Sequence, residues 1–293
     1  MAKYGGFECL RVQVSRGVAW VTIDHPPINL FDVPLFLELD RVVTELAADD
    51  EVRVIGFQSA DPDFFIAHAD VNWILTLPAE KPPRPTEPNA FVGLMERIRK
   101  LPKLTIGAIA GIARGGGSEF LLSLDVRFAA RTKTRLAQPE VALGIIPGGG
   151  GTQRLARLVG RARALEIIIG CEDIDAETAE AIGYVNRTFS DDDLLPHAHA
   201  WAERAAAMPP EAVRMAKQAV DAALPAWEAG LIEETDLFNA SAALPEARQR
   251  MQGFLASGGQ TREVEIQLGR MLGTLGTGAP GAGPAPGSAR PGR

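Results

Sequence analysis

Two short apolar runs open the chain. Cys9–Val14 and Val18–Ile23 flank Ser15-Arg16-Gly17, a turn composition, so a strand pair is expected there. Pro34–Ala48 then places Leu35, Leu39, Val42, Val43 and Leu46 at helical spacing. Its proline falls in the first turn, where a missing N–H costs little. Val52–Phe57 reads as a buried strand, Asp61-Pro62-Asp63 as a turn and Phe64–Ile66 as a short strand. Five prolines between residues 78 and 88 exclude helix and inner strand, leaving an extended loop. Asn89–Lys100 resumes helical spacing with Phe91, Met95 and Ile98, and Leu104–Ala110 is an apolar strand. Such β–α repetition predicts a mostly parallel, layered α/β core.

From Gly150 the pattern is almost wholly helical. Asp175 is placed to cap a short helix that Gly183 ends, and Tyr184–Phe189 reads as a last strand. Three or four helices are expected across Leu194–Leu272. From Gly278 onward, 13 of 16 residues are Gly, Ala or Pro, a composition that buries no apolar surface and predicts disorder. The expected division is residues 1–193, 194–272 and 273–293.

Composition narrows the function classes. With 46% hydrophobic and 23% charged residues the chain is globular, and no apolar run approaches the ~20 residues of a membrane span. Its first residues, MAKYGGFECLRVQVSRG, lack the apolar stretch of a secretory signal, so a cytoplasmic location is expected. Lys and Arg number 30 against 37 Asp and Glu, a net charge of −7 without a basic stripe, which argues against nucleic acid. A small anionic ligand stays possible, since a few local donors suffice for it. Two cysteines, Cys9 and Cys171, exclude a four-cysteine zinc site and a disulfide framework. The four histidines, at 25, 68, 197 and 199, do not form a zinc pattern, and no metal site is expected. Neither Gly115–Gly117 nor Gly148–Gly151 is followed by Lys, which excludes a phosphate-binding P-loop. Gln153 breaks a dinucleotide fingerprint, and Phe120 breaks a serine nucleophile elbow.

Two segments carry candidate chemistry. In IGAIAGIARGGGSEFLLSLDVRFAA, residues 106–130, an apolar strand meets three glycines and an apolar helix holding Glu119. In LAQPEVALGIIPGGGGTQRLARL, residues 136–158, Glu140 precedes an apolar segment and a glycine cluster. Glycines ahead of a helix let backbone N–H groups approach a ligand, and the helix N-terminus favours developing negative charge. Taken alone, Glu119 reads first as helix-terminus electrostatics and Glu140 as a solvated loop carboxylate, and nothing in the two segments brings them together.

The linked motifs are more specific. Gly-Gly-Gly-x-Glu followed by Asp125, then Gln-Pro-Glu and Gly-x-x-Pro-Gly-x-Gly-Gly-Thr-Gln-Arg-Leu, resemble the signature of the enoyl-CoA hydratase/isomerase (crotonase) family. Phe65-Ile66-Ala67-His68-Ala69-Asp70 is similar to that family's Ala-Gly-Ala-Asp stretch, with His68 at its central glycine. Asp24–Asn29 resembles the family's Pro-Asn turn. The resemblance spans roughly residues 8–255 and implies a crotonase-like α/β spiral core with an acyl-CoA site over 1–193. A helical oligomerisation region follows over 194–272.

By this resemblance the amides of Ala69 and Gly116 match the pair that binds the thioester oxygen, and Glu119 and Glu140 the two acid/base carboxylates. Gly148 matches a glycine lining the catalytic water site. The Ala67–Asp70 loop matches the region contacting the CoA adenine, and Asn72 and Gly117 join the expected substrate contacts. The implied protein is a homotrimer or hexamer using no cofactor beyond the CoA of its substrate. Glu119 is the expected water-orienting base and Glu140 the α-proton donor.

Several positions depart from the family pattern. His68 is one, and Asn72 stands where many members carry Lys. One extra residue separates Asp125 from Glu140, and Ala256–Gln260 replaces a Lys-rich stretch. The five-proline loop lies where acyl-chain specificity is commonly set. Three functions are therefore weighed: hydration of a 2-enoyl-CoA by both glutamates, isomerisation by one of them, and a non-catalytic CoA-binding subunit.

Overall fold

The computed structural model describes residues 3–275. Strands β1 (Leu10–Ser15) and β2 (Val18–Ile23) pair antiparallel, with Leu10 opposite Ile23 and Ser15 opposite Val18. Arg16 and Gly17 both take positive φ, the geometry of a two-residue hairpin turn that follows the strand twist. Helix α1 (Val33–Ala48) is capped by Asp32, whose side chain accepts from the Leu35 amide. It buries Leu35, Leu39, Val42, Val43 and Leu46, the expected stripe, each worth roughly 1.5–3 kcal/mol.

Next come β3 (Val54–Ser59), β4 (Phe64–Ile66), α2 (Val71–Leu75), α3 (Ala90–Arg99), β5 (Leu104–Ile109) and β6 (Ile112–Arg114). Helix α4 (Gly116–Leu122), β7 (Val126–Ala130), β8 (Arg135–Ala137) and a 3₁₀ turn over Glu140–Leu143 follow. The series continues through α5 (Gly151–Val159), α6 (Arg161–Gly170), β9 (Ile174–Asp175), α7 (Ala176–Ala181) and β10 (Arg187–Phe189). A six-stranded sheet has the order β1-β2-β3-β5-β7-β10, parallel from β2 onward. A four-stranded sheet has the order β4-β6-β8-β9, with β9 antiparallel to β8.

The expected single strand into the glycines is in fact two. Gly111 takes φ 139°, and a Cβ there would lie 2.7 Å from the Asp63 carbonyl oxygen. The bend moves the chain from β5 in one sheet to β6 in the other, and so aims the glycine run that follows. Helix α4 is buried at all seven positions and packs between the sheets.

Beyond β10 the described residues form five helices rather than three or four: α8 (Leu194–Ala206), α9 (Pro210–Ala222), α10 (Glu228–Ala242), α11 (Pro245–Ala256) and α12 (Arg262–Leu275). Turns at Ala207–Pro209 and Ser257–Thr261 divide what apolar periodicity joins. Helix α8 packs on the six-stranded sheet through Leu194, Ala198, Ala202 and Ala206. Helices α10 to α12 return to the glycine-rich end of the core. The last helix continues to Leu275; the Gly/Ala/Pro tail expected to be disordered lies outside the described residues.

Candidate active site

Local backbone chemistry places the two glutamates. Gly115, at φ 46°, turns the chain out of β6 and lets α4 begin against β4. A Cβ on Gly117 would overlap the carbonyl oxygen of Ile66, so only glycine allows this approach. One turn later Glu119 is 3% exposed. Its Oε1 accepts from the amides of Gly149 (2.7 Å) and Gly151 (2.9 Å), donors left free at the start of α5. Glu140 opens the 3₁₀ turn and is also buried, and its Oε2 has no hydrogen-bond partner among the described residues.

These environments separate the two acids. Burial raises Glu119 above its ordinary value, while the Gly149 and Gly151 amides and the Arg154 charge oppose the rise. Glu140 is raised much further, by burial first and then by the charges of Glu119 and Glu234. One glutamate held by two N–H donors beside a second, more strongly raised and without an ionic partner, is an arrangement for moving protons.

A third carboxylate, Glu234 of α10, lies behind this pair. It accepts from the amides of Gly150 and Thr152 and from the Thr152 hydroxyl. Burial and the charge of Glu119 push it up to about 7. Arg154 stabilises the group: its Nη1 donates to the Gly149 carbonyl at 2.7 Å and its Nη2 to Glu96 Oε1 at 2.8 Å.

A cavity of about 250 Å³ opens on Glu119 and Glu140. Ala69, Gly116, Gly148 and Gly149 line it, with Trp73, Phe91 and Phe238 forming apolar wall. The Ala69 and Gly116 residues touch: a Cβ on Gly116 would lie 3.2 Å from the Ala69 nitrogen. Phe31 donates its amide to the His68 carbonyl and accepts from the Asp70 amide, yet the amides of Ala69 and Gly116 have no acceptor among the described residues. The cavity thus brings together two N–H groups without an acceptor among the described residues and two buried glutamates beside an apolar wall.

Comparison with known proteins identifies the family. The chain matches the sequence profile of the family described as enoyl-CoA hydratase/isomerase over residues 13–259. The chain belongs to the enoyl-CoA hydratase/isomerase family. It is 33% identical over 259 residues to the short-chain-enoyl-CoA hydratase of Clostridium acetobutylicum, covering 85% of this chain and 93% of that protein. It is 33% identical over 248 residues to the 2,3-dehydroadipyl-CoA hydratase of Escherichia coli, covering 84% and 95%. A crystal structure from Streptomyces avermitilis, described as a candidate enoyl-CoA hydratase, superposes with a TM-score of 0.85 at 39% identity, covering 93% of this chain and all of that one.

Within this family member, five of the residues singled out from sequence meet at one cavity: Ala69, Gly116, Glu119, Glu140 and Gly148. The others lie around it. Ala67 is fully buried, its amide donating to Ile28 and its carbonyl accepting from Arg114. Gly117 is the contact of α4 with β4 and does not line the cavity. His68 faces a separate hollow of about 40 Å³ that it shares with Glu140. Asp70 caps α2 by accepting from the Asn72 amide and side chain, and Asn72 is exposed.

Glu234, Arg154, Asn89 and the aromatic wall were not found from sequence. Asn89 caps α3 through Val92 and donates to the Gly148 carbonyl, so one residue starts a helix and positions the cavity glycine. Its place before an apolar stripe is a capping signal that could have been read. Glu234 carries no such local sign.

Proposed function

We propose that this protein hydrates a 2-enoyl-CoA to the 3-hydroxyacyl-CoA. The observation that carries the reading is the convergence of Glu119, Glu140 and the free amides of Ala69 and Gly116 on one cavity. The thioester oxygen accepts from the two amides. Glu119 takes a proton from water as the water oxygen adds to the β-carbon, and the displaced electron pair moves to the thioester oxygen. Glu140 gives its proton to the α-carbon as the enolate collapses. The raised pKa of Glu140 and the donors to Glu119 support this division of roles. Each oxyanion donor is worth ~10²–10³ in rate and each acid–base group ~10²–10⁴.

Addition of water is redox-neutral, so its balance needs no cofactor beyond the CoA of the substrate. The apolar wall of Trp73, Phe91 and Phe238 receives the acyl group. Loss of enoyl-thioester absorbance on mixing purified protein with crotonyl-CoA and longer 2-enoyl-CoAs tests the reaction. Absence of turnover with all of them would overturn it.

The functional unit is a homotrimer or hexamer in the cytoplasm. Ile169 on α6 is 61% exposed and Leu244 53% exposed, flanking a surface hollow between α6 and α11. Such apolar surface supports a subunit contact. No described helix is long and apolar enough to cross a membrane. Light scattering that finds a stable monomer at micromolar concentration would rule the assembly out.

A further inference from the structure

His68 has an acceptor on each side of its ring. Nδ1 lies 2.8 Å from the carbonyl oxygen of Ala69, and Nε2 lies 3.0 Å from Oε1 of Glu265 on α12. A neutral imidazole carries one N–H and would leave one of these contacts without a proton. Imidazolium satisfies both. The titratable and charged groups facing His68 are Glu265 of α12, Arg114 of β6 with its partner Asp173, Glu140 of the 3₁₀ turn, and Asp70 in its own loop. Arg114 is bound by both oxygens of Asp173 at 2.7 Å and stands 3.9 Å from Glu265 Oε2, so Glu265 faces two cationic groups, of which His68 at 3.0 Å is the nearer. Helices α2 and α11 bring only apolar residues to this hollow: Val71, Ile74 and Phe254.

The same C-terminal segment holds the loop at two more points. Gln260 Oε1 accepts from the Val71 amide at 2.8 Å, and its Nε2 donates to Asp70 at 2.8 Å. Its own amide donates to Glu265 Oε1 at 2.8 Å. Gln260 sits at φ 67°, the left-handed region that a non-glycine residue adopts at a cost. These bonds join residues about 190 positions apart onto the four-residue stretch that carries the Ala69 amide.

We propose that His68, Gln260 and Glu265 are positioning residues that aim the Ala69 N–H into the cavity, with His68 as an imidazolium rivet between the C-terminal segment and the loop. The inference rests on the hydratase reading, in which that amide holds the thioester oxygen. It assigns a task to two places where the chain departs from its family, His68 and the Ala256–Gln260 stretch.

The test combines kinetics with ring-nitrogen NMR on the full chain. In the wild type both His68 nitrogens are expected to carry protons at pH 7.5. His68→Asn and Gln260→Ala are expected to lower kcat with crotonyl-CoA, His68→Asn by about tenfold, with KM nearly unchanged, since a misaimed donor loses part of an oxyanion contribution. Circular dichroism and thermal melts establish that each variant is folded. Folded variants with kcat within twofold of wild type, or a neutral His68 at pH 7.5, would overturn the proposal. Calorimetric binding of acetoacetyl-CoA, whose enolate mimics the charged thioester oxygen, separates the two claims. A wild type that binds it but hydrates no enoyl-CoA sinks the hydratase reading alone, and weaker binding by both variants would still support the positioning role. Equal binding by the variants, or none by the wild type, would sink the positioning role too.

Discussion

Glu119 and Glu234 take alternate amides of a single turn: Glu119 accepts from Gly149 and Gly151, Glu234 from Gly150 and Thr152. Two carboxylates from helices α4 and α10 therefore grip the start of α5 from opposite sides. Their shared repulsion is offset by Arg154, which sits near both and is itself paired with Glu96.

Glu234→Gln should loosen that turn. The amide side chain has one acceptor oxygen for donors at Gly150 and Thr152, and its own N–H₂ then faces a donor. An orphaned buried donor costs about 1–3 kcal/mol. In a protein of this size that is roughly 2–4 °C of melting temperature per kcal/mol. A lower melting temperature together with reduced kcat is expected from calorimetry and enoyl-CoA kinetics. An unchanged melting temperature would show that Glu234 does not organise the turn.

Glu119→Gln and Glu140→Gln should each remove ~10²–10⁴ of hydration rate while keeping the fold, because Gln retains size and hydrogen bonding but cannot exchange a proton. The double variant should lose less than the product of the single losses, as groups acting together are non-additive. Inactivity of Glu140→Gln alongside an undiminished Glu119→Gln would instead identify a one-carboxylate isomerase. Progress curves with a 2-enoyl-CoA and a 3-enoyl-CoA distinguish the outcomes.

Gly117→Ala should fail to give folded protein, or should melt far below wild type. Its Cβ would overlap the Ile66 carbonyl, a backbone atom of β4 that cannot swing aside. Overpacking of this kind costs about 1–3 kcal/mol or more. Gly170→Ala is the control, since a Cβ there meets nothing within 4 Å. Circular dichroism and solubility of the two variants make the comparison.

Stability should fall as pH rises across the neutral range. Burial raises Glu140 and Glu234 in the folded state, Glu234 to about 7, whereas both titrate near ~4.3 when unfolded. Between those limits the native state binds more protons than the unfolded one, so unfolding free energy decreases with pH. His68 acts in the same direction. Burial alone would lower it, but Glu265 and the Ala69 carbonyl raise it, so its contribution is full below ~6.5 and is lost as pH climbs through its folded value. Melting temperatures from pH 5 to 8 should decline in the wild type and decline less in Glu140→Gln. Parallel curves would contradict the ionisation state assigned to Glu140.

Periodicity reported each element whose signal is local. The α1 stripe, the first hairpin and the cap at Asp175 follow from spacing and turn residues within a few positions of one another. The motif-bearing glutamates were legible for the same reason, since glycines and acids stand side by side in the chain. Less of the C-terminal region could be read, because apolar spacing runs through the turns that divide it into five helices.

Sequence by itself determined the α/β class, the family and the identity of two candidate acids, because each is written in adjacent residues. Tertiary structure alone decided that Glu119 and Glu140 share a cavity, that Glu234 from α10 backs them, and that Glu265 from α12 meets His68. Those relationships join residues from 21 (Glu119 to Glu140) to 197 (His68 to Glu265) positions apart, and their protonation depends on burial and neighbouring charge, which exist only once the helices have closed on the core.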